Sequence, residues 1–326
     1  QTALAMAAAC GAPPELVEGL LARRAGLECA DATGATPLAL AAKKGRLVLM
    51  HLLVMFRANI EARDSSARSV LHLVAGNWHD SHSRQRWRRR SQRRSAPSDR
   101  PEVLAQLLAA RADVEVRDAS GQTPLLAALT PPRLCWRPGE AQVKVVETLL
   151  QGRADVNARK ELPDGEAEQG ETALGIVCRL DVPELPKMLL TARADPNVMD
   201  PEDGHFPLTR ALGRVYEGRV WTNNFNKATH ASALMLLDHG ASTAVVDQEG
   251  LTPLIRYLAP LLEFGRSSYI WTVAREEAVS FTLDALMTSS CDLNFAAPGH
   301  NSALHMAAAV GHWHVARLLL ERGALA

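Results

Sequence analysis

Apolar residues along this 326-residue chain fall into short paired runs, and each pair opens on the same kind of polar step. The step is Thr or Ser, then Pro or a small residue, then Leu. It reads Thr36-Pro37-Leu38-Ala39, Ser69-Val70-Leu71-His72, Thr123-Pro124-Leu125-Leu126, Thr172-Ala173-Leu174, Thr252-Pro253-Leu254 and Ser302-Ala303-Leu304-His305. Weaker copies stand at Thr2-Ala3-Leu4 and Phe206-Pro207-Leu208. An alanine-rich stretch, a leucine-rich stretch and a Gly/Arg-Ala-Asp-like turn follow each of them. Eight copies of one supersecondary unit predict a stacked array, and stacked arrays bind.

The unit at Thr36 shows the local physics. Thr36 can cap a helix, and Pro37 suits its first position, where a missing N–H costs nothing. Leu38, Ala41 and Ala42 then fall on one helical face. Gly45 permits a tight turn into a second helix carrying Leu49, Met50, Leu52 and Leu53 at helical spacing. That helix ends near Arg57, and residues 58–64 lead through a turn to the next unit. Neither helix is long enough to stand alone in water, so each pair must bury its stripe against its neighbours.

The run Ser302-Ala303-Leu304-His305-Met306-Ala307-Ala308-Ala309-Val310-Gly311-His312, followed by Leu318-Leu319-Leu320-Glu321-Arg322-Gly323-Ala324, resembles the ankyrin-repeat pattern. That pattern joins T-P-L-H-x-A-A and a V-V-x-L-L-L helix to a G-A-D-x-N turn. The interval from Thr36 to Ser69 matches the ankyrin period of about 33 residues. The resemblance covers essentially the whole chain. It implies an all-α solenoid of helix-turn-helix units with β-turn or hairpin fingers, acting as a non-enzymatic protein-interaction scaffold. The repeats are expected at about 1–31, 32–64, 65–118, 119–159, 160–200, 201–247, 248–296 and 297–326 of a single array. The chain starts without Met and in mid-repeat, so further sequence is expected beyond both ends.

One departure bears on stability. The family places Gly after the second helix, where the backbone adopts φ > 0. Here that position reads Arg57, Arg111, Arg153 and Arg193, each before Ala. A non-Gly residue there is strained by roughly 1 kcal/mol. Arg near a helix C-terminus also complements the helix dipole. The same residues would form a regular basic row along a stack.

The spacing between units is uneven, and the excess falls mainly between paired helices. Insertions are expected at about 78–100, 130–141, 213–227 and 259–274, with a smaller one at 160–170 in a turn between units. In a stack, the first four should share one edge. Trp78, Trp87, Trp136, Trp221 and Trp271 all lie in them, and Trp313 sits at the corresponding turn of the last unit. Tyr216, Phe225, Phe264 and Tyr269 join them. Such rings either fold loops onto the outer helices as satellite cores or present an aromatic recognition edge. The stretch Arg84–Arg94 holds Trp87, Arg88, Arg89 and Arg90 and reads as a self-repelling basic run. As a signal it would serve nuclear import, nucleic-acid or acidic-partner tethering, or phosphorylation at Ser91 and Ser95; otherwise it is a solvated loop.

Composition narrows the function classes. Formal charge is zero, with 36 basic and 36 acidic residues, which argues against a globally steered nucleic-acid binder. That zero conceals acidic turns after the fourth unit: Glu161, Asp164, Glu166, Glu168 and Glu171, then Asp200, Glu202 and Asp203, then Asp247 and Glu249. Five scattered cysteines (Cys10, Cys29, Cys135, Cys178, Cys291) form no CxxC pair and suit a reducing compartment. An intracellular setting is therefore expected, cytoplasmic or nuclear. No apolar run approaches the ~20 residues of a membrane span.

No phosphate loop, GxSxG elbow or HExxH occurs, so no catalytic residue, cofactor or metal site is assigned. His312 and His314 match a helix turn without acidic or Cys partners, and His72 and His305 take the family's scaffold position. The residue before each step varies freely: Ala35, Arg68, Gln122, Glu171, His205, Leu251, Asn301. The resemblance places that position on a concave, partner-selecting face. Candidate partner contacts are therefore Lys43, Lys44, Arg68, Gln122, Asp203, His205 and Glu249. Candidates on the insertion edge are Trp87, Arg88, Arg89, Arg90, Trp136, Trp221 and Trp271. The partner is expected to be a protein. Two other readings are a regulatory arm of a larger enzyme or channel, and nucleic-acid binding or nuclear import through Arg84–Arg94.

Overall fold

The structure is a computed structural model that describes residues 2–76, 100–130, 139–161, 170–180, 182–201, 203–213, 227–264, 281–287, 291–296, 301–311 and 313–325. It divides into two compact units, Gln1–Gln169 and Gly170–Ala326. Among the described residues the secondary structure is helical, with one isolated antiparallel bridge, Arg63 to Ser69.

In the first unit, helices alternate between an inner and an outer row. The inner helices are α1 (Ala3–Cys10), α3 (Pro37–Lys43), α5 (Val70–Ala75) and α7 (Pro124–Leu129). The outer ones are α2 (Pro14–Ala22), α4 (Leu47–Met55), α6 (Arg100–Ala109) and α8 (Glu140–Gln151). Each inner helix packs on the next inner one, each outer on the next outer, and each inner on its own outer partner. The second unit repeats this with inner helices α9 (Ala173–Cys178), α11 (Pro207–Gly213), α13 (Pro253–Phe264) and α14 (Ala303–Val310). Its outer helices are α10 (Glu184–Thr191), α12 (Lys227–Asp238) and α15 (Trp313–Glu321), and residues 281–286 are also helical. This is an all-α ankyrin solenoid architecture.

The polar step does what its chemistry predicts. The side-chain oxygens of Thr36, Thr123, Thr172 and Ser302 accept the backbone N–H three residues on, at 3.2–3.4 Å. Phe206 has no such oxygen, and there Thr209 reaches back to accept the Phe206 N–H at 2.8 Å. At Ser69 the cap is reciprocal, because His72 Nδ1 accepts the Ser69 N–H at 3.3 Å. The other ring nitrogen of His72 lies 2.9 Å from the Gln122 carbonyl, so the proton sits on Nε2 and the ring ties one unit to the next. Small residues let the inner helices approach: Ala39, Ala41 and Ala42 are buried beside the larger Leu38. Leu49, Met50 and Leu53 are buried in α4, whereas Leu52 is half-buried.

Every outer helix with a described end finishes in one motif. The N–H of an Ala bonds the carbonyl five residues back, and the preceding N–H bonds the one three back: Ala58 to Leu53 with Arg57 to Val54, and Ala112 to Leu107 with Arg111 to Leu108. Ala154 with Arg153 and Ala194 with Arg193 do the same. This is a Schellman closure, whose penultimate residue must be left-handed. Arg24, Arg57, Arg111, Arg153 and Arg193 accordingly have φ between 58° and 67°, while Gly240 and Gly323 take that place later in the chain.

The described inner helices before the expected interruptions end at Ala75, Leu129, Gly213 and Phe264. Helix α13 continues through Pro260 to Phe264, so residues 259–264 extend the inner helix before that interruption. Trp78, Trp87, Arg88, Arg89, Arg90, Trp136, Trp221 and Trp271 lie outside the described residues, as do Ser91, Ser95, Tyr216, Phe225 and Tyr269. Trp313 opens α15, is 72% exposed and meets His314 edge-on at 5.6 Å.

Candidate partner-binding surface

Between outer and inner helices the chain forms short fingers closed by backbone. The N–H of Asp31, Asp64, Asp118 and Asp247 donates to the carbonyl of Ala35, Arg68, Gln122 and Leu251 respectively. Each Asp then accepts two N–H groups inside its own turn: Ser66 and Arg68 for Asp64, at 2.9 and 3.0 Å, and Ser120 and Gln122 for Asp118, at 2.8 and 3.1 Å. Burial alone would raise the Asp64 carboxyl, but the Arg68 guanidinium and these N–H groups hold it below the ordinary carboxylate value.

The fingers are also tied to one another. In the first unit, Ser65 N–H donates to Thr33 O, Ala119 to Ser66 O and Glu161 to Gly121 O. In the second, Gln248 N–H donates to Gly204 O. Gly121, at φ 73°, is needed for that approach, since a Cβ there would lie 1.9 Å from the Glu161 carbonyl oxygen. A second ladder runs at the turns. Glu28, Glu61 and Glu115 each accept, at 2.8 Å, the N–H of the next turn, from Asn59, Asp113 and Asp155 respectively. Asn197 and Asn294 repeat the arrangement with Ser242 and Leu325 at 2.7 Å. The fingers are thus fixed before any partner arrives.

The two units treat charge differently. In the second, Arg210 on α11 has its side chain 3% exposed and bonds Glu171 at 2.7 Å, Asp203 at 2.6 Å and Asp200. Arg179 pairs with the same Glu171. Burial raises the Glu171 carboxyl above its ordinary value, an effect the two arginines only partly counter. For Arg210, burial is outweighed by its carboxylates, so the guanidinium is held charged. Gly175 stands where His72 stands in its own unit, and a Cβ there would come 2.9 Å from Arg210 Nη1. One unit further on, Arg256 bonds Asp247 at 2.6 Å and Glu249 at 3.0 Å.

Lys43 and Lys44 end α3, half-buried and exposed respectively. Arg68 is bound to Asp64 at 2.5 Å, and Gln122 Nε2 donates to Thr130 Oγ1 at 3.1 Å. Asp203 is held by Arg210 and Glu249 by Arg256. His205 lies 3.9 Å from Asp247 through a buried Nδ1 that has no hydrogen-bond partner among the described residues. His205 and Glu249 therefore share one cluster around Asp247. The remaining finger candidates are spread along the file. Arg179, Arg210 and Arg256 were not singled out from sequence, because their partners stand up to 39 residues away.

Repeated capped helix pairs, stacked fingers and turn ladders define an ankyrin-repeat protein. The family model described as Ankyrin repeat matches residues 33–65, 120–161 and 299–326. The chain is also similar to Neurogenic locus notch homolog protein 1. Identity is 29% over 222 residues with the Homo sapiens and Mus musculus proteins, and 28% over 222 residues with that of Xenopus laevis. These matches cover 65% of this chain, and the chain spans 7% of the length of those relatives. Ankyrin repeats are protein–protein interaction modules. No described helix is long and apolar enough to cross a membrane, and no group of three or more His, Cys, Asp or Glu suited to a metal occurs among the described residues.

Proposed function

We propose that this chain is a non-enzymatic scaffold of eight ankyrin units that holds a protein partner against its fingers and inner helices. The observation that carries this reading is the backbone-tied file of fingers, whose outward residues differ from unit to unit. Thr33, Ser66 and Ser120 place hydroxyls and Glu249 a carboxylate at equivalent exposed positions, and beside them the exposed residues are Ala32, Ser65, Ala119 and Gln248. A preformed surface avoids much of the ordering cost of association. Lys44, Asp203 and Glu249 are its exposed candidates, whereas Arg68 and Gln122 shape the finger from within. Free Cys10 and Cys29 are exposed thiols, which supports a reducing, intracellular setting.

A second reading makes the array the regulatory arm of a longer protein, with its partner in the same chain. The 7% span of the relatives favours considering it. One experiment addresses both. A photo-crosslinking side chain placed at position 44 or 249 of the full-length protein should yield a defined adduct, and one at Gln106 on outer helix α6 should not. An adduct from another polypeptide supports the scaffold, and an internal one supports the arm. Adducts from position 106 alone would contradict the finger face.

A further inference from the structure

The left-handed arginines form a second surface, separate from the fingers. Arg24, Arg57, Arg111 and Arg153 close four successive outer helices of the first unit, and all four are exposed. Each occupies a backbone conformation that glycine would take without strain, and the chain does use glycine there at Gly240 and Gly323. None of the four guanidinium groups has a hydrogen-bond or ion-pair partner among the described residues. The acidic residues nearest to them in sequence, Glu28, Glu61, Asp113 and Asp155, each already accept a backbone N–H. Other arginines of the same unit are engaged: Arg63 donates to Arg117 O, and Arg117 to Arg159 O and to Glu161.

The outer helices pack directly, α2 on α4, α4 on α6 and α6 on α8. Packed helices lie about 8–10 Å apart, so these charges recur at about that interval. A polyproline II segment advances about 9 Å in three residues, returning the same face to the protein each time. A bidentate guanidinium favours carboxylate, and several such pairs in register give specificity as well as attraction. We infer that Arg24, Arg57, Arg111 and Arg153 form a ladder for an extended acidic segment of a partner protein, with a carboxylate at every third residue.

Fluorescence anisotropy on the full chain tests this with three probes of equal anionic number. One is a Glu-Pro-Pro repeat, one a Glu-Pro-Pro-Pro repeat, and one a thymidine oligonucleotide. The Glu-Pro-Pro repeat should bind tightest and weaken as salt rises. Arg57→Gly combined with Arg111→Gly and Arg153→Gly should weaken it at least tenfold while leaving the melting temperature equal or higher. That pairing separates binding from folding, because glycine suits these turns. Equal affinity for the two peptide spacings, tighter binding of the oligonucleotide, no peptide binding, or undiminished binding by the triple variant would each overturn the proposal. A finger-face partner could still be found in every one of those cases, since the ladder uses none of the finger residues.

Discussion

The first unit closes four turns with exposed arginines and the second only one, Arg193, while the second buries Arg210 among its own carboxylates. Both units share capped inner helices, Schellman closures and tied fingers, so the difference lies in side-chain charge rather than in fold. In sequence the turns after the fourth unit stand out only as acidic. In the structure Asp200, Asp203 and Glu171 surround Arg210, and Asp247 and Glu249 hold Arg256. The first unit also ties Arg68 to Asp64 and Arg117 to Glu161, but among the described residues only the second buries a guanidinium, that of Arg210, among three carboxylates.

The sharpest way to break this contrast is to remove the buried guanidinium. Arg210→Ala removes the guanidinium that pairs with the Asp200 carboxylate, itself 4% exposed. Breaking such a buried pair costs about 3–5 kcal/mol. Adding Asp200→Asn and Glu171→Gln should recover much of that loss. Urea unfolding measures both, and a loss under 1 kcal/mol, on the order of a surface pair, would show that the network is ornamental.

A smaller effect probes the tied fingers. Gly121→Ala meets both the positive φ and the Glu161 carbonyl, and should cost about 2–4 kcal/mol. Gly240→Ala has the same sign of φ but nothing within 4 Å, so strain of about 1–2 kcal/mol is expected. Equal losses by thermal melting would deny the finger contact its role.

Acid should act on the first unit through His72. Burial holds its imidazole below the ordinary value of 6.5, against the pull of the Gln122 carbonyl. The unfolded chain therefore takes up its proton before the folded one does. This contribution to stability is complete above about pH 6.5 and is lost as the pH falls below it, by at most about 1.4 kcal/mol per unit. His72→Gln should flatten that slope in unfolding curves compared at pH 7.5 and 5.5. The smallest change runs the other way: Arg57→Gly should stabilise by roughly 1 kcal/mol, because it relieves the left-handed strain.

What could be read from sequence was whatever is local. Thr36, Thr123 and Ser302 announce helix starts because a cap acts over three residues, and Arg57 announces a turn because Ala58 follows it in register. Arg210 could not be read that way. Its carboxylates come from Glu171, Asp200 and Asp203, and only folding brings them together. The one local sign was Gly175, where the pattern would put His and where Arg210 needs the space. Arg24 was also missed, since the doublet Arg23-Arg24 obscures which residue closes the helix. Lys44 kept its accessible place, while Arg68 and Gln122 turned out to serve their own fingers.

Hydrogen exchange on the full chain tests the contrast most directly, comparing Arg210→Ala with the Arg57→Gly, Arg111→Gly, Arg153→Gly variant. The account predicts that the first loses protection over residues 172–213 and leaves 36–76 unchanged, as expected when interactions pass only between neighbouring repeats. The triple variant should keep or gain protection at 53–58, 107–112 and 149–154. Loss of protection throughout the first unit in the triple variant, comparable to the loss around Arg210, would contradict it and make those arginines part of the frame.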